Sequence, residues 1–340
     1  MIPAIPFTLH HATLAALLAI GILTARNARA AAPHEVLAFY YTWYGSPDRH
    51  GSWVHWNQVN ADQHDISDST HYPANGAYYS YDPAIIDRQI TQAKANGITG
   101  FIATWWGQGT YEDKALPIVL ARAEQNNFKV AAYWETAPGE GQAQIDHAVS
   151  DLVFLATHYG RRRAFLKVTE QPVIFVYGRA MDQVPAASWP AIISQARARA
   201  GSFLLIADGY QEKFAGLFDG LHTYNICGSV KGKNPEELRE WAAGHYTNAV
   251  ALARRHNRIS CVDVIPGYDD TKIRKPGLKA DRWDGRVYQV LWEEAIKARP
   301  DWVLITSWNE WHEGSEIEPS LEFGAKYLIS TGPYARRFRQ

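Results

Sequence analysis

From residue 36 onward, short apolar runs rich in β-branched and aromatic residues alternate with stretches whose apolar positions recur at helical spacing. The runs are "VLAFYY" (36–41), "ITGFIATW" (98–105), "KVAAYWE" (129–135), "PVIFVY" (172–177), "FLLIAD" (203–208), "GLHTYN" (220–225), "ISCVDVI" (259–265) and "DWVLITS" (301–307). Most are continuously apolar rather than alternating, the signature of parallel strands covered on both faces. Between them lie helical patterns. Asp82 and Pro83 read as a cap and first turn ahead of Ile86, Ile90 and Ala93. "YEDKALPIVLARAEQNN", "PEELREWAAGHYTNAVALARRHN" and "GRVYQVLWEEAIKAR" are equally plain. Eight β/α units over this length predict a single (β/α)8 TIM barrel within the α/β class. An open doubly wound sheet is the alternative, but "GQG" at 107–109 has neither the third glycine of a dinucleotide fingerprint nor a P-loop lysine.

One connection breaks the rhythm. About forty residues, 42–82, separate the first strand from its helix, and they are rich in Trp, Tyr, His and Asp. Loops of that length are usually functional. In a barrel this long loop after the first strand would lie over the C-terminal face, where active sites form.

Residues just past each strand would then look into one mouth. In chain order they are Tyr41, Trp43 and Tyr44; Trp105 and Trp106; Glu135; Tyr177; Asp208; Tyr224; Tyr268, Asp269 and Asp270; Glu310 and Glu313. The whole chain carries 13 Trp and 18 Tyr. These supply either core volume or flat faces on which sugar rings stack. Acids among aromatics suit a carbohydrate site better than a phosphate site. Net charge is −1, so composition gives no footprint for nucleic acid or an anionic membrane.

The stretch "SWNEWHEGSEIEP" (307–319) is the densest in candidate chemistry. Glycosidic bonds are cleaved by paired carboxyl groups, one protonated and one ionised. Glu310 and Glu313 are three apart, so a helical turn would point both the same way. Their mutual repulsion, with Trp308 and Trp311 around them, would raise the pKa of one, as a general acid requires. Glu316 and Glu318 read as solvated or salt-bridged. His55 and His312 flank the same face. Neither has a partner at metal-ligand spacing, so hydrogen bonding to sugar or glutamate is expected, with no metal or cofactor. "DQHDISDSTH" (62–71) lacks the order and glycine of a calcium loop. No serine sits in a G-x-S-x-G elbow.

Residues 12–25 form an apolar stretch too short to span a membrane comfortably, followed by "ARNARA" with Ala28 and Ala30 in an A-x-A pattern. Residues 1–30 are therefore expected to be a signal peptide, although no Lys or Arg precedes the apolar stretch. Residues 31–340 would form the catalytic domain, secreted or periplasmic and free of the membrane. Cys227 and Cys261 would lie at opposite rims of neighbouring strands, too far apart for a disulfide, and are expected to remain thiols.

"FYYTWYGSPDRHGSWVHWN" (39–57) and "ITSWNEWHEGSEIEP" (305–319) resemble the opening and closing motifs of glycoside hydrolase family 99, the endo-α-mannosidases and bacterial endo-α-1,2-mannanases. "KVAAYWE", "FDGLHTYN" (218–225) and "PGYDDTKIR" (266–274) fit less strongly. The resemblance implies the same barrel and no metal. It implies Glu310 as a base acting on the sugar's own 2-hydroxyl and Glu313 as the general acid/base, through a 1,2-anhydro sugar and with net retention. Glu135 resembles an acidic residue of the family's substrate groove. Tyr41 and Tyr224 resemble its active-site tyrosines. Trp43, His55, Trp106, Tyr268 and His312 complete the expected substrate contacts. Trp105-Trp106-Gly107 departs from the family's usual Trp-Tyr-Pro, and the loop after the sixth strand looks short; both would reshape neighbouring subsites. The expected partner is a polysaccharide or oligosaccharide, cleaved at internal 1,2-trans α-mannosidic bonds by a monomer. The alternatives are a barrel hydrolase acting on another bacterial exopolysaccharide, or a carbohydrate-binding protein without catalysis.

Overall fold

The computed structural model describes residues 32–340; the expected signal peptide lies outside the described residues. Eight parallel strands close into a ring: β1 (Glu35–Tyr40), β2 (Gly100–Trp105), β3 (Lys129–Trp134), β4 (Gln171–Val176), β5 (Leu204–Asp208), β6 (Gly220–His222), β7 (Ile259–Val264) and β8 (Trp302–Ile305). Each pairs with its neighbour in sequence, and β8 closes on β1 with Glu35 opposite Trp302 and Ala38 opposite Ile305. The helices between them are α1 (Pro83–Ala95), α2 (Tyr111–Asn126), α3 (Gly141–Phe154), α4 (Trp189–Ala200), the short α5 (Glu212–Ala215), α6 (Pro235–Arg255), α7 (Arg286–Ala298) and α8 (Lys326–Phe338).

Alternate residues of each strand serve two cores. Val36, Ala38 and Tyr40 pack outward against helices, together with Ile86, Ile90 and Ala93 of α1. Leu37, Phe39 and Tyr41 join Ile102, Ala131, Tyr133, Phe175, Ile206 and Leu304 inside the barrel. Most strands are thus apolar on both sides, which is why the runs read as continuous; His222 of β6 and Asp263 of β7 are buried polar exceptions. Strands approach closely where side chains are absent: a Cβ on Gly220 would lie 2.9 Å from Ile259 Cβ and 2.6 Å from Ile206 Cδ1. Helix starts follow the sequence signals. Asp82 accepts from Ala84 N at 2.8 Å, and Asn234 with Glu237 forms a capping box on α6.

The sixth strand ends at His222, three residues before the expected end. The chain then breaks away so that the carbonyl of Tyr224 accepts from Thr306 Oγ1 at 2.6 Å. The long loop is also less bare than its composition suggests. It carries a helical turn at Pro47–His50 and a two-stranded ribbon, Val59–Asn60 against Asp65–Ile66. Its later part is stitched to the loop after β8: Ala74 N donates to Pro319 O at 2.9 Å, and Ser69 Oγ to Trp311 O at 2.8 Å.

Cys227 and Cys261 are both buried and not joined in a disulfide. Cys261 belongs to the barrel interior, Cys227 to the layer facing the helices.

Candidate active site

The segment after β8 doubles back instead of running on as a helix. Ser307 N donates to Ser315 O at 2.8 Å, and Ile317 N to Ser307 O at 2.9 Å. The turn is pinned to the end of β1. Asn309 Oδ1 accepts from Tyr41 N, and its Nδ2 donates to Tyr41 O, both at 2.8 Å. Tyr44 bridges the same turn, donating to Asn309 O at 3.0 Å while its oxygen accepts from Trp311 N at 3.2 Å. Gly314 closes the turn with φ +56°, and a Cβ there would sit 3.0 Å from Thr70 Oγ1 and 3.1 Å from Asp269 N and O. The turn thereby lifts Glu310 and Glu313 into one cavity without a helix.

That cavity, of about 220 Å³, is lined by Tyr41, Trp43, His55, Trp106, Glu135, Tyr177, Arg179, Tyr224, Ile273, Arg274, Glu310, His312 and Glu313. Nine of the ten expected site residues are among these. Tyr268 is the exception. It lies behind Glu313, where it accepts from Arg274 Nη1 at 2.8 Å, and faces a separate cavity on the far side of the turn. It supports the site and does not line it.

Burial governs the electrostatics. Burial, then the charges of Glu313 and Glu135, push Glu310 well above the usual carboxylate range; its carboxyl accepts from His312 N at 3.2 Å. Burial also raises Glu313, but Arg274, Tyr224 and Tyr268 oppose it. Tyr224 donates to Glu313 Oε2 at 2.9 Å, and both terminal nitrogens of Arg274 donate to Oε1 at 3.2 Å. Burial pushes Glu135 up to about 8 although Thr104 donates to its carboxyl. His55 and His312 stack with centroids 4.5 Å apart. Burial, with His312 beside it, pushes His55 down to about 3, and burial pushes His312 down to about 4, so both rings are neutral at ordinary pH. His312 Nε2 is buried in the cavity wall with no protein partner, a polar atom left for something that enters. Among the described residues, no group of three or more His, Cys, Asp and Glu side chains is disposed to hold a metal ion.

Tyr177, Arg179 and Tyr224 also line a second space of about 590 Å³, with Asp182, Gln183, Asp208, Thr223 and Asn225. The two share Tyr177, Arg179 and Tyr224, and their walls mix aromatic faces with charged and amide side chains.

Comparison with known proteins bears on what such a groove serves. The sequence profile described as glycosyl hydrolase family 99 matches residues 32–328. The chain belongs to family 99. It is accordingly a glycoside hydrolase, and its family implies a carbohydrate substrate. The family-99 chain is 26% identical over 327 residues to a "Glycoprotein endo-alpha-1,2-mannosidase-like protein" of Danio rerio, covering 85% of this chain and 71% of that one. It is 26% identical to a "Glycoprotein endo-alpha-1,2-mannosidase" of Mus musculus, covering 84% and 67%. Among solved structures it resembles the GH99 endo-alpha-mannosidase from Bacteriodes thetaiotaomicron in complex with BIS-TRIS-Propane, with TM-score 0.74, 26% identity and coverage of 90% and 97%.

Several expectations for this family-99 site need correction. Trp105 and Trp308 do not face the groove. Trp105 turns to the helix layer and donates to Asp113 at 2.7 Å, and Trp308 packs on Phe101 at 5.2 Å. Of the two acids expected to be solvated or salt-bridged, Glu316 is salt-bridged, whereas Glu318 is buried and neither solvated nor ion-paired among the described residues. Burial alone would raise Glu316, but Arg282 at 2.8 Å and His71 at 2.9 Å outweigh it and hold the carboxyl low. Glu318 accepts from Tyr78 at 2.8 Å and Gln89 at 2.7 Å, and burial pushes it up to about 7. Both acids brace the turn that carries Glu310 and Glu313. Arg179 and Arg274 were missed as site residues. Arg179 stands in the helical turn Gly178–Gln183 just past β4, and that place beyond a strand end is the signal that could have found it.

Proposed function

We propose that the protein cleaves internal α-mannosidic, 1,2-trans linkages of a glycan with retention, through the sugar's own 2-hydroxyl. The observation that carries this reading is the placement of Glu310 and Glu313 together in one cavity wall, with Glu135 across from them. Glu310, ionised, would take the proton of the 2-hydroxyl, and that oxygen would attack the anomeric carbon from the face opposite the aglycone. Glu313, protonated, would give its proton to the departing oxygen and then draw one from the water that attacks the anomeric carbon, while Glu310 returns its proton to the 2-oxygen as the anhydro ring opens. The second space past Tyr177 and Tyr224 gives room for further sugars, as endo action needs. Tyr41, Trp43, His55, Trp106, Tyr224 and His312 would contact the sugar being cleaved or its neighbours. The chain would act as a monomer, exported by its first thirty residues.

A second reading keeps the chemistry and changes the polymer. Arg179 holds its guanidinium 4.4 Å from the Trp106 ring centroid, covering a face on which a neutral sugar would stack. This favours another exopolysaccharide, one with groups that a cation can bind.

The deciding experiment incubates the protein with a panel of α-mannans and other exopolysaccharides and identifies the released oligosaccharides. Internal fragments from α-mannans support the first reading; products from another polymer alone support the second. A substrate deoxygenated at C2 of the cleaved residue should be inert. Its brisk, Glu310-dependent hydrolysis would show direct attack by the carboxylate and end the 2-hydroxyl mechanism.

A further inference from the structure

The groove holds its two glutamates in an arrangement opposed to the one bond cleavage requires. Hydrolysis as proposed above needs Glu310 ionised and Glu313 protonated. Yet Arg274 forks onto Glu313, both terminal nitrogens 3.2 Å from Oε1, while Tyr224 donates to Oε2. The Glu310 carboxyl receives the backbone N–H of His312, and Arg274 acts on it through charge alone. A carboxyl facing a guanidinium keeps its charge; a buried one beside another carboxylate keeps its proton. Burial raises both carboxyls, Glu310 the further because Arg274 and Tyr224 oppose the rise at Glu313, so of the two Glu310 holds its proton more firmly and Glu313 gives its up first.

We infer that Arg274 is a positioning residue that sets which glutamate carries the proton, and that the leaving-group sugar must part it from Glu313 before cleavage. The inference rests on the proposed roles of the pair. It follows from where Arg274 sits: with Ile273 it lines the cavity, so a sugar bonded through an oxygen to be protonated by Glu313 would meet it.

Arg274 can yield without disturbing its loop. Its side chain is half exposed. Two further anchors hold it, Tyr268 at 2.8 Å and the carboxylate of Asp270. Asp270 is fixed in turn: its N donates to Leu278 O at 3.1 Å, and its Oδ1 accepts from Leu278 N. The segment is closed by the antiparallel pair Tyr268–Ala280. A rotation that trades Glu313 for fuller contact with Asp270 leaves the cation paired. When it occurs, the proton given up by Glu310 is matched by the one Glu313 takes, so the pair exchanges one proton and needs no outside acid.

Other groups around Glu313 do not reverse the preference. Glu310 and Glu135 repel its charge, and Arg179 stands across the cavity beside Glu135. Tyr41 and Tyr177 are held neutral by burial, His55 and His312 likewise. Arg274 is the cation in contact.

The test uses the full chain. Protein labelled with ¹³C at glutamate carboxyls is titrated by NMR, with the Glu313 signal assigned by its loss in Glu313→Gln. In Arg274→Met the Glu313 midpoint should rise by roughly 1 unit or more, the size expected on removing an adjacent cation. Arg274→Lys should return most of that shift. If the Met variant does not fold, Arg274→Gln, which keeps donors without charge, gives the same reading. On any substrate the wild type cleaves, both limbs of the pH profile of kcat/KM should move to higher pH in the uncharged variant. An unmoved Glu313 midpoint, or a uniform fall in rate with an unmoved profile, would reduce Arg274 to a structural part and overturn the inference. The titration needs no turnover, so failure on every mannan would sink the proposed substrate and leave this result standing.

Discussion

Three carboxyl groups face one cavity, Glu135 and Glu310 buried and Glu313 partly so, and their separate surroundings give them separate duties. Replacing Glu313 by Gln should cost roughly 10²–10⁴ in rate on an unactivated glycan, the usual loss on removing a general acid. Substrates with a very good leaving group should be partly spared, since they need little protonation. Steady-state rates on the two substrate types check this; near-normal turnover of the unactivated glycan would remove Glu313 from the role. Glu135 makes a different prediction. Burial pushes it up to about 8, above its ordinary value of 4.5. The folded chain thus binds a proton there that the unfolded chain has released, and this group's contribution to stability falls as pH rises from about 4.5 to 8. Glu135→Gln removes that dependence. Its melting temperature should gain on the wild type between pH 5 and 9, read by thermal denaturation across that range; a constant difference would show that Glu135 ionises freely in the fold.

The two long loops at the strand ends behave as one element. The connection after β1 and the turn after β8 share Asn309, Tyr44 and Tyr78, and Gly314 lets the turn pass against Asp269. Gly314→Ala would force a side chain into left-handed backbone and against atoms about 3 Å away. It should cost about 1–3 kcal/mol, measured by urea denaturation, and also lower activity, because Asp269 N bonds to Glu313 O at 2.8 Å. Unchanged stability and rate would show that the turn absorbs the methyl. At this scale the sequence was unevenly legible. The eight strands stood out because both faces of each are buried, and Glu310 and Glu313 stood out because acids crowd there among aromatics. Asn309 gave no such signal: its meaning lies in a contact 268 residues away. Arg274 lay inside a recognised motif, but a loop has no period to say which side chain turns inward. Trp308 misled because an aromatic next to acids in sequence can point the other way in a barrel wall.

For the whole molecule, the barrel separates an inner core from an outer layer, and reactivity follows that division. Burial pushes the Cys227 thiol up to about 12, and it lies in the outer layer beneath the helices. Thiolate is the reactive form. Cys227 should therefore resist alkylation at pH 8 in the folded protein and react fully in denaturant, as peptide mapping by mass spectrometry would show. Rapid native labelling would mean that the layer opens. The barrel also decides when the site can exist. The two bonds between Asn309 and Tyr41 join the last strand's exit to the first strand's exit, and Glu310 and Glu313 stand just beyond. Both glutamates follow β8, so they are synthesised after all eight strands of the barrel. Until then β1 has no partner on that side, and its exposed edge must be kept from pairing elsewhere. The catalytic groove is thus completed only when β8 and the turn after it close on β1.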